Sequence, residues 1–551
     1  MRSAAQRELT ARPYGIWGLQ HNWHSVSESK TWVVTTALLD APVLLAGSIK
    51  TGSLRPKPNV NEVAAQLAAT TGLRDLKTTV FVNTKRDAVS VAREIATKLG
   101  TLVPSTESET ERWAALEIEL GNLKQSLVTL EHYAVPHNSS MLRLERDLAE
   151  RMFKRSNGAN VIVATPTLAQ GLNLPAQLAI LAGDKRADRA GGRENLEAHE
   201  IFNAAARAGR AGHLANGLVL LIPEPIITFR SGQPLNANLI GKLKGVLPED
   251  DHCVTIADPL ETVLDRLMAG QIQDSDVQYT INRMSVLASG KTTVDAVQLF
   301  NLNKSFGYYR AANRAAQAEF EAKIERLRKS IEAQRDPDID HNVAILSSQS
   351  GLSANLIVAL KARVHADLAT LPNSVADWLT WTFKWLAEDF DARTALLSDV
   401  SDSILAACGE PKGGALGPQH LDHLLRGLLA WINGDNLSSI ELMLGGEPDH
   451  HSPTKYICLR AREIAGTIVP RAIPFILGLV ARSASDAIGS AEPADFDRQV
   501  IGFLGTIVRR GYSSPDMMFY AMDDKHLRGR VQVHAAWKTR FDGIFDDLDY
   551  L

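Results

Sequence analysis

Short, continuous apolar runs punctuate the first part of the chain, separated by stretches in which apolar residues return at helical spacing. Thr79–Val82, Val161–Ala164, Gln177–Gly183 and Gly217–Pro223 are such runs. A run without polar alternation marks a strand covered on both faces, as in a parallel sheet wrapped by helices. Between the runs, Val91, Ile95 and Leu99 repeat on one helical face up to Gly100, and Met141, Leu144, Leu148 and Met152 form a second stripe. Thr84 with Asp87 is a variant of the capping-box pattern and opens the first of these helices. Residues 101 to 125 read as an inserted, charged helical segment.

Elsewhere the pattern is weaker. Residues 1 to 76 are poorly patterned, with Trp17, Trp23 and Trp32 among His21, His24 and polar residues, and Pro56 and Pro58 mark a linker. Beyond about residue 230 the strand signals fade and the remainder reads as mostly helical. Trp378, Trp381 and Trp385 recur at helical spacing, more the mark of a packed face than of a base-stacking platform.

Composition narrows this picture. At 551 residues the chain is long enough for two to four domains, and 45% hydrophobic content supports ordinary cores. A net charge of −4 gives no global attraction to nucleic acid, so any such binding uses local patches. The three cysteines, Cys253, Cys408 and Cys458, are widely spaced, which fits packed thiols in a reducing cytoplasm rather than a zinc or iron–sulfur module. The N-terminus lacks the apolar core of a signal peptide, and the longest apolar run, Ala472–Ala481, is about half of what a membrane span needs. The expectation is a cytoplasmic protein with no membrane partner.

Candidate chemistry gathers in two segments. In Asn160–Pro175 (NVIVATPTLAQGLNLP) a buried strand runs straight into Thr165-Pro166, an N-cap and first-turn pair whose free N–H groups suit a phosphate; Gly171 ends that helix, and Asn173 and Pro175 turn the chain away. In Ile201–Gly212 (IFNAAARAGRAG), Arg207 and Arg210 stand three apart near a helix end, so both guanidinium groups project from one face. Two forked donors there suit a nucleotide's terminal phosphate and can neutralise charge as the phosphoryl group transfers. No His/Cys set has the spacing of a metal site, and none is assigned.

The order and spacing of these two segments resemble motifs V and VI of the superfamily 2 helicases, in the branch bearing winged-helix and ratchet domains. Ala164–Pro175 follows the pattern ATxxLAxGxNLP; the second segment follows QxxGRAGR with Asn203 and Ala206 as departures, keeping both arginines. Val80–Ala88 (VFVNTKRDA) resembles motif IV. The resemblance implies an α/β RecA-like parallel-sheet domain, the second of a helicase motor, over 77–228, followed by mainly α-helical domains. These are a winged-helix-like region at 229–330, a helical ratchet-like domain at 331–470 and a C-terminal helical region at 471–551, with 1–76 an N-terminal linker or remnant.

By the same resemblance, Gly171, Asn173, Asn203, Arg207 and Arg210 face ATP, the two arginines being the catalytic pair. Asn83, Thr84, Lys85, His137, Thr165 and Thr167 face a single strand of DNA or RNA. ATP and Mg2+ are the implied cofactors, but a helicase site is built between two RecA-like domains, and the first supplies the phosphate loop and the acidic magnesium ligands. Ser285–Thr292 (SVLASGKT) has the Gly-Lys-Thr ending without the first glycine, and Ile281, Met284, Leu287 and Ala288 before and within it are spaced like a helix face, so it reads as a helix end. The implied phosphate loop therefore belongs to a partner chain or an upstream domain. A non-catalytic nucleic-acid-binding adaptor on a helicase scaffold and a truncated helicase gene product are the alternative readings.

Overall fold

The computed structural model describes residues 14–22, 29–38, 44–52, 58–72, 76–100, 103–165, 176–187, 193–195, 218–224, 226, 228–229, parts of 259–284, 304–313, 316–334, 340–448, 459–488, 498–524 and 526–548. The chain divides into two compact units. One comprises 1–252, 434–467 and 520–551, the other 253–433 and 468–519.

The first unit is built on a sheet with nine strands among the described residues. They are β1 (Tyr14–Asn22), β2 (Ser29–Leu38), β3 (Leu44–Gly52), β4 (Thr78–Phe81), β5 (Ala134–His137), β6 (Val161–Ala164), β7 (Leu178–Ala182), β10 (Leu218–Ile222) and β11 (Thr228–Phe229). β8 (Lys185–Ala187) and β9 (Arg193–Asn195) form a separate antiparallel hairpin. The strand order is β3-β2-β1-β10-β7-β4-β6-β5, with β11 on β1. From β1 through β10 to β5 every pairing is parallel, while β2 and β3 are antiparallel additions.

The four apolar runs of the sequence are β4, β6, β7 and β10, and their neighbours in space explain their lack of alternation. Val161 and Val163 of β6 face a core shared with Val80, Ile180 and Leu220 and with helices α1 (Val60–Gly72) and α2 (Lys85–Leu99). Ile162, between them, faces a second core formed with Val135, Met141, Leu148, Met152 and Phe153, the last three on α4 (Arg143–Lys154). Each fully buried side chain of this kind contributes about 1.5–3 kcal/mol, which favours unbroken apolar runs, with the buried Thr78 and Thr79 of β4 as the polar exceptions. α2 starts where the sequence predicts: Thr84 accepts the Asp87 amide proton at 3.0 Å and donates its hydroxyl to the Asp87 carboxylate at 2.7 Å. It ends at Gly100, whose φ of 63° is the left-handed conformation favoured by glycine.

Two expectations are corrected here. Residues 14–52, expected as part of a linker or remnant, instead supply β1–β3, and Val60–Gly72 is a helix on the sheet. The expected ranges 331–470 and 471–551 each contribute to both units, since 434–467 and 520–551 group with the sheet. The predicted charged insertion is the reason. It forms α3 (Glu107–Leu120), opened by a complete Thr106–Glu109 capping box, and its buried charges receive the returning segments. Glu119 on α3 accepts from Arg530 Nε at 3.0 Å and from the Val531 amide at 3.2 Å. Glu145 on α4 is gripped by Arg462.

The second unit is helical among its described residues. Phe320, Ile324, Leu327 and Ile331 line one face of the helix Gln317–Gln334 and pack with Leu264, Leu267 and Ile281. Trp378 and Trp385 are buried in Val375–Glu388, and Trp381 donates its indole N–H to Asp367 at 2.9 Å, so this tryptophan stripe is a packed face. Within 229–330, expected as a winged-helix-like region, 230–258 and 285–303 lie outside the described residues.

Candidate nucleic-acid and nucleotide interface

Parallel pairing brings the carboxyl ends of β5, β6 and β4 level. Phe81 stands opposite Ala164, which stands opposite His137, and the Val82 amide donates to the Ala164 carbonyl at 2.9 Å. In an open α/β sheet this edge is where ligands sit. The segments resembling motifs IV and V therefore leave the sheet side by side.

On the β4 side, Asn83 is half-buried against Gly183 at the end of β7, while Thr84 and Lys85 are exposed. Because the Thr84 hydroxyl is engaged as the helix cap, what this turn offers a phosphate is the exposed first turn of α2, with Lys85 and Arg86 on it. On the β6 side, Thr165 directly follows the strand and is only 6% exposed. The ends of β7 and β10 are tied by the Glu224 amide, which donates to Asp184 at 2.9 Å. From the same edge the antiparallel pair β8–β9 follows β7 within three residues.

His137 departs from expectation. The resemblance implies that it faces nucleic acid, but it is the last residue of β5, is 1% exposed, and its Nε2 lies 3.1 Å from Glu150 on α4. Pro136 suggested a loop, yet β5 is the outermost strand, where a missing amide proton is tolerated. The hydrogen bond from His137, seconded by Lys154 at 2.9 Å, holds the Glu150 carboxyl down at about 2 against the opposing effect of burial. His137 is thus withdrawn from a passing strand.

The residue after it does more. Asn138 is fully buried; its amide N–H donates to the Lys85 carbonyl at 3.2 Å, and its Oδ1 accepts from the Ser140 amide at 2.9 Å and from the Ser140 hydroxyl at 2.5 Å. Asn138 thereby joins the turn after β5 to the first turn of α2. Sequence reading missed this role, although Asn-Ser-Ser between a strand and a helix is a pattern for side-chain-to-backbone turns. Glu145 and Arg462 were missed as well. Arg328, on an exposed helix face of the second unit, is paired with Glu325 at 2.7 Å and with Glu332.

Thr167, Gly171, Asn173, Asn203, Arg207 and Arg210 lie outside the described residues, as does Ser285–Thr292. Among the described residues no group of three or more His, Cys, Asp or Glu side chains is arranged to hold a metal ion.

Comparison with known proteins gives the edge a context. The chain is 31% identical over 183 residues to the RQC trigger complex helicase SLH1 of Saccharomyces cerevisiae, which covers 31% of this chain and 9% of that protein. It is 32% identical over 146 residues to the ATP-dependent DNA helicase Hel308 of Pyrobaculum calidifontis, covering 26% of this chain and 20% of the relative. The chain is homologous to the superfamily 2 helicases. The human U5 small nuclear ribonucleoprotein 200 kDa helicase is 27% identical over 181 residues, 30% of this chain and 8% of that protein. This helicase homologue therefore spans at most a fifth of the length of these three relatives. No family profile matches it.

Proposed function

We propose that this chain contributes motifs IV to VI to an ATP-dependent nucleic-acid helicase, as the second RecA-like half of the motor, with winged-helix and ratchet-like regions following it. One observation carries the reading: the parallel register of β4 and β6 sets the segments resembling motifs IV and V on a single sheet edge, in a chain homologous to superfamily 2 helicases.

In this reading the first turn of α2, with Asn83, Thr84 and Lys85, and the segment through Thr165 and Thr167 hold phosphates of one strand of DNA or RNA. By the resemblance, Gly171, Asn173 and Asn203 contact ATP, and Arg207 and Arg210 meet its terminal phosphate. Their guanidinium groups neutralise charge that develops on transfer. Magnesium finds no fitting ligand set among the described residues, so no step is assigned to it in this chain. The phosphate loop is contributed by a partner chain or an upstream domain.

ATP turnover tests the division of labour. The purified chain with single-stranded nucleic acid is expected to hydrolyse ATP negligibly, and to do so only when combined with a domain carrying a phosphate loop. Robust turnover by the chain alone that Lys291→Ala abolishes would overturn the reading, since Lys291 is in the nearest phosphate-loop match.

A further inference from the structure

We propose that Asn138 is a positioning residue for strand binding: by joining the Lys85 carbonyl to Ser140 it fixes the first turn of α2 where that turn meets a nucleic-acid phosphate. The inference rests on the strand-holding part of the reading above and adds a residue that makes no contact with the strand itself.

Three features of the connection carry it. First, it is short and enclosed. A side chain with no exposure donates to a carbonyl in the first turn of α2, while its own oxygen is held by two donors from Ser140. Second, the turn that bears it is anchored on both sides. The Asn138 amide donates to the Met141 sulfur at 3.3 Å, Met141 is fully buried in the core beneath, and the Leu142 amide donates to Glu145 at 2.9 Å. Third, the far side of that anchor is rigid, because Glu145 is clasped by Arg462 at 2.7 and 2.8 Å. A displacement of α2's first turn relative to the end of β5 therefore has to break the Asn138 bond or pull against a fixed turn.

The chemistry explains why such a brace matters here and is needless for an ordinary capped helix. Thr84 already satisfies the cap, so the fold of α2 does not require Asn138. A phosphate held by backbone N–H groups and a lysine, by contrast, is sensitive to their placement, since hydrogen bonds weaken steeply as geometry departs from linear. Asn138 then acts on binding and leaves folding largely alone.

The test is a double-mutant cycle on the full chain, read by anisotropy of a labelled oligothymidylate across a salt series, with a thermal melt of each variant. Asn138→Asp keeps the acceptor for Ser140 and removes the donor to Lys85. Lys85→Ala is expected to weaken binding about tenfold and to flatten the log–log salt slope by about 0.7, the value for one phosphate contact on a single strand. Asn138→Asp is expected to produce the same pair of changes, and the double variant to be no weaker than Lys85→Ala alone. Ser140→Ala, at a half-buried site, tests the same brace should a buried carboxylate unfold the protein. It is expected to weaken binding in the same direction without lowering the melting temperature, and again not to add to Lys85→Ala.

Two results overturn the proposal in distinguishable ways. If Lys85→Ala weakens binding but the Asn138 or Ser140 change has no effect or multiplies with it, the brace is refuted and the strand-holding turn stands. If Lys85→Ala binds as the unaltered chain does, that turn is not a strand contact and both ideas fall.

Discussion

Arg462 and Glu145, 317 positions apart in sequence, meet as a two-pronged fork: Nη1 donates to Oε2 at 2.7 Å and Nη2 to Oε1 at 2.8 Å, with both residues almost wholly buried. The carboxylate also accepts the Leu127 and Leu142 amides, and Arg462 Nη2 donates to the Gln125 carbonyl at 2.7 Å. Four donors among the described residues thus converge on the Glu145 carboxylate. Two distant stretches are fastened beside the turn that follows β5.

Removing one partner leaves an uncompensated charge in the interior. Glu145→Ala or Arg462→Ala is expected to lower unfolding free energy by about 3–5 kcal/mol, measured by urea denaturation. The double replacement Glu145→Leu with Arg462→Met is expected to recover most of that loss. A double variant as unstable as the sum of the two singles would contradict the assignment.

Gly121 ends α3 with φ of 78°, and a Cβ placed there would lie 2.7 Å from Asn436 Oδ1. That same oxygen caps the helix Leu437–Met443 by accepting the Ser439 amide at 2.9 Å. Gly121→Ala is expected to cost about 2 kcal/mol, combining left-handed strain with a disturbed cap. Hydrogen exchange over 437–443 should rise with it; unchanged exchange there would place the cost elsewhere.

Glu150 supplies a pH dependence. Its carboxyl is depressed from 4.5 to about 2, chiefly by the hydrogen bond with His137, so the folded state favours the ionised form. The stabilisation is complete above the unfolded value and disappears as pH falls from about 4.5 towards about 2. Denaturation of the native chain and of Glu150→Gln should differ by a constant amount at neutral pH and converge across that interval. A gap that persists at the acid end would contradict the pairing.

How far the sequence spoke depended on whether the physics was local. β6, β7 and β10 were legible because burial on both faces favours unbroken apolar runs, β4 because Val80–Val82 continue its two buried threonines, and α2 because Thr84, Asp87 and Gly100 punctuate it. β1–β3 were not, because their tryptophans, histidines and hydroxyl residues lack either period. His137 was misplaced because Pro136 signals a loop unless the strand is known to be outermost. The attachment of 434–467 and 520–551 to the sheet unit was hidden because it is made by arginines and glutamates, which read as solvated until the partner far along the chain is seen.

The most direct measurement for the account is single-turnover ATP hydrolysis, with single-stranded nucleic acid present, by a preparation in which this chain is joined by the phosphate-loop domain. Arg210→Ala is expected to slow the step by about 100- to 1,000-fold, as loss of a preorganised donor to developing charge does, while leaving strand affinity unchanged. An Arg210→Ala preparation that hydrolyses ATP at the original rate would contradict the claim that this chain brings the charge-neutralising arginine to a shared nucleotide site.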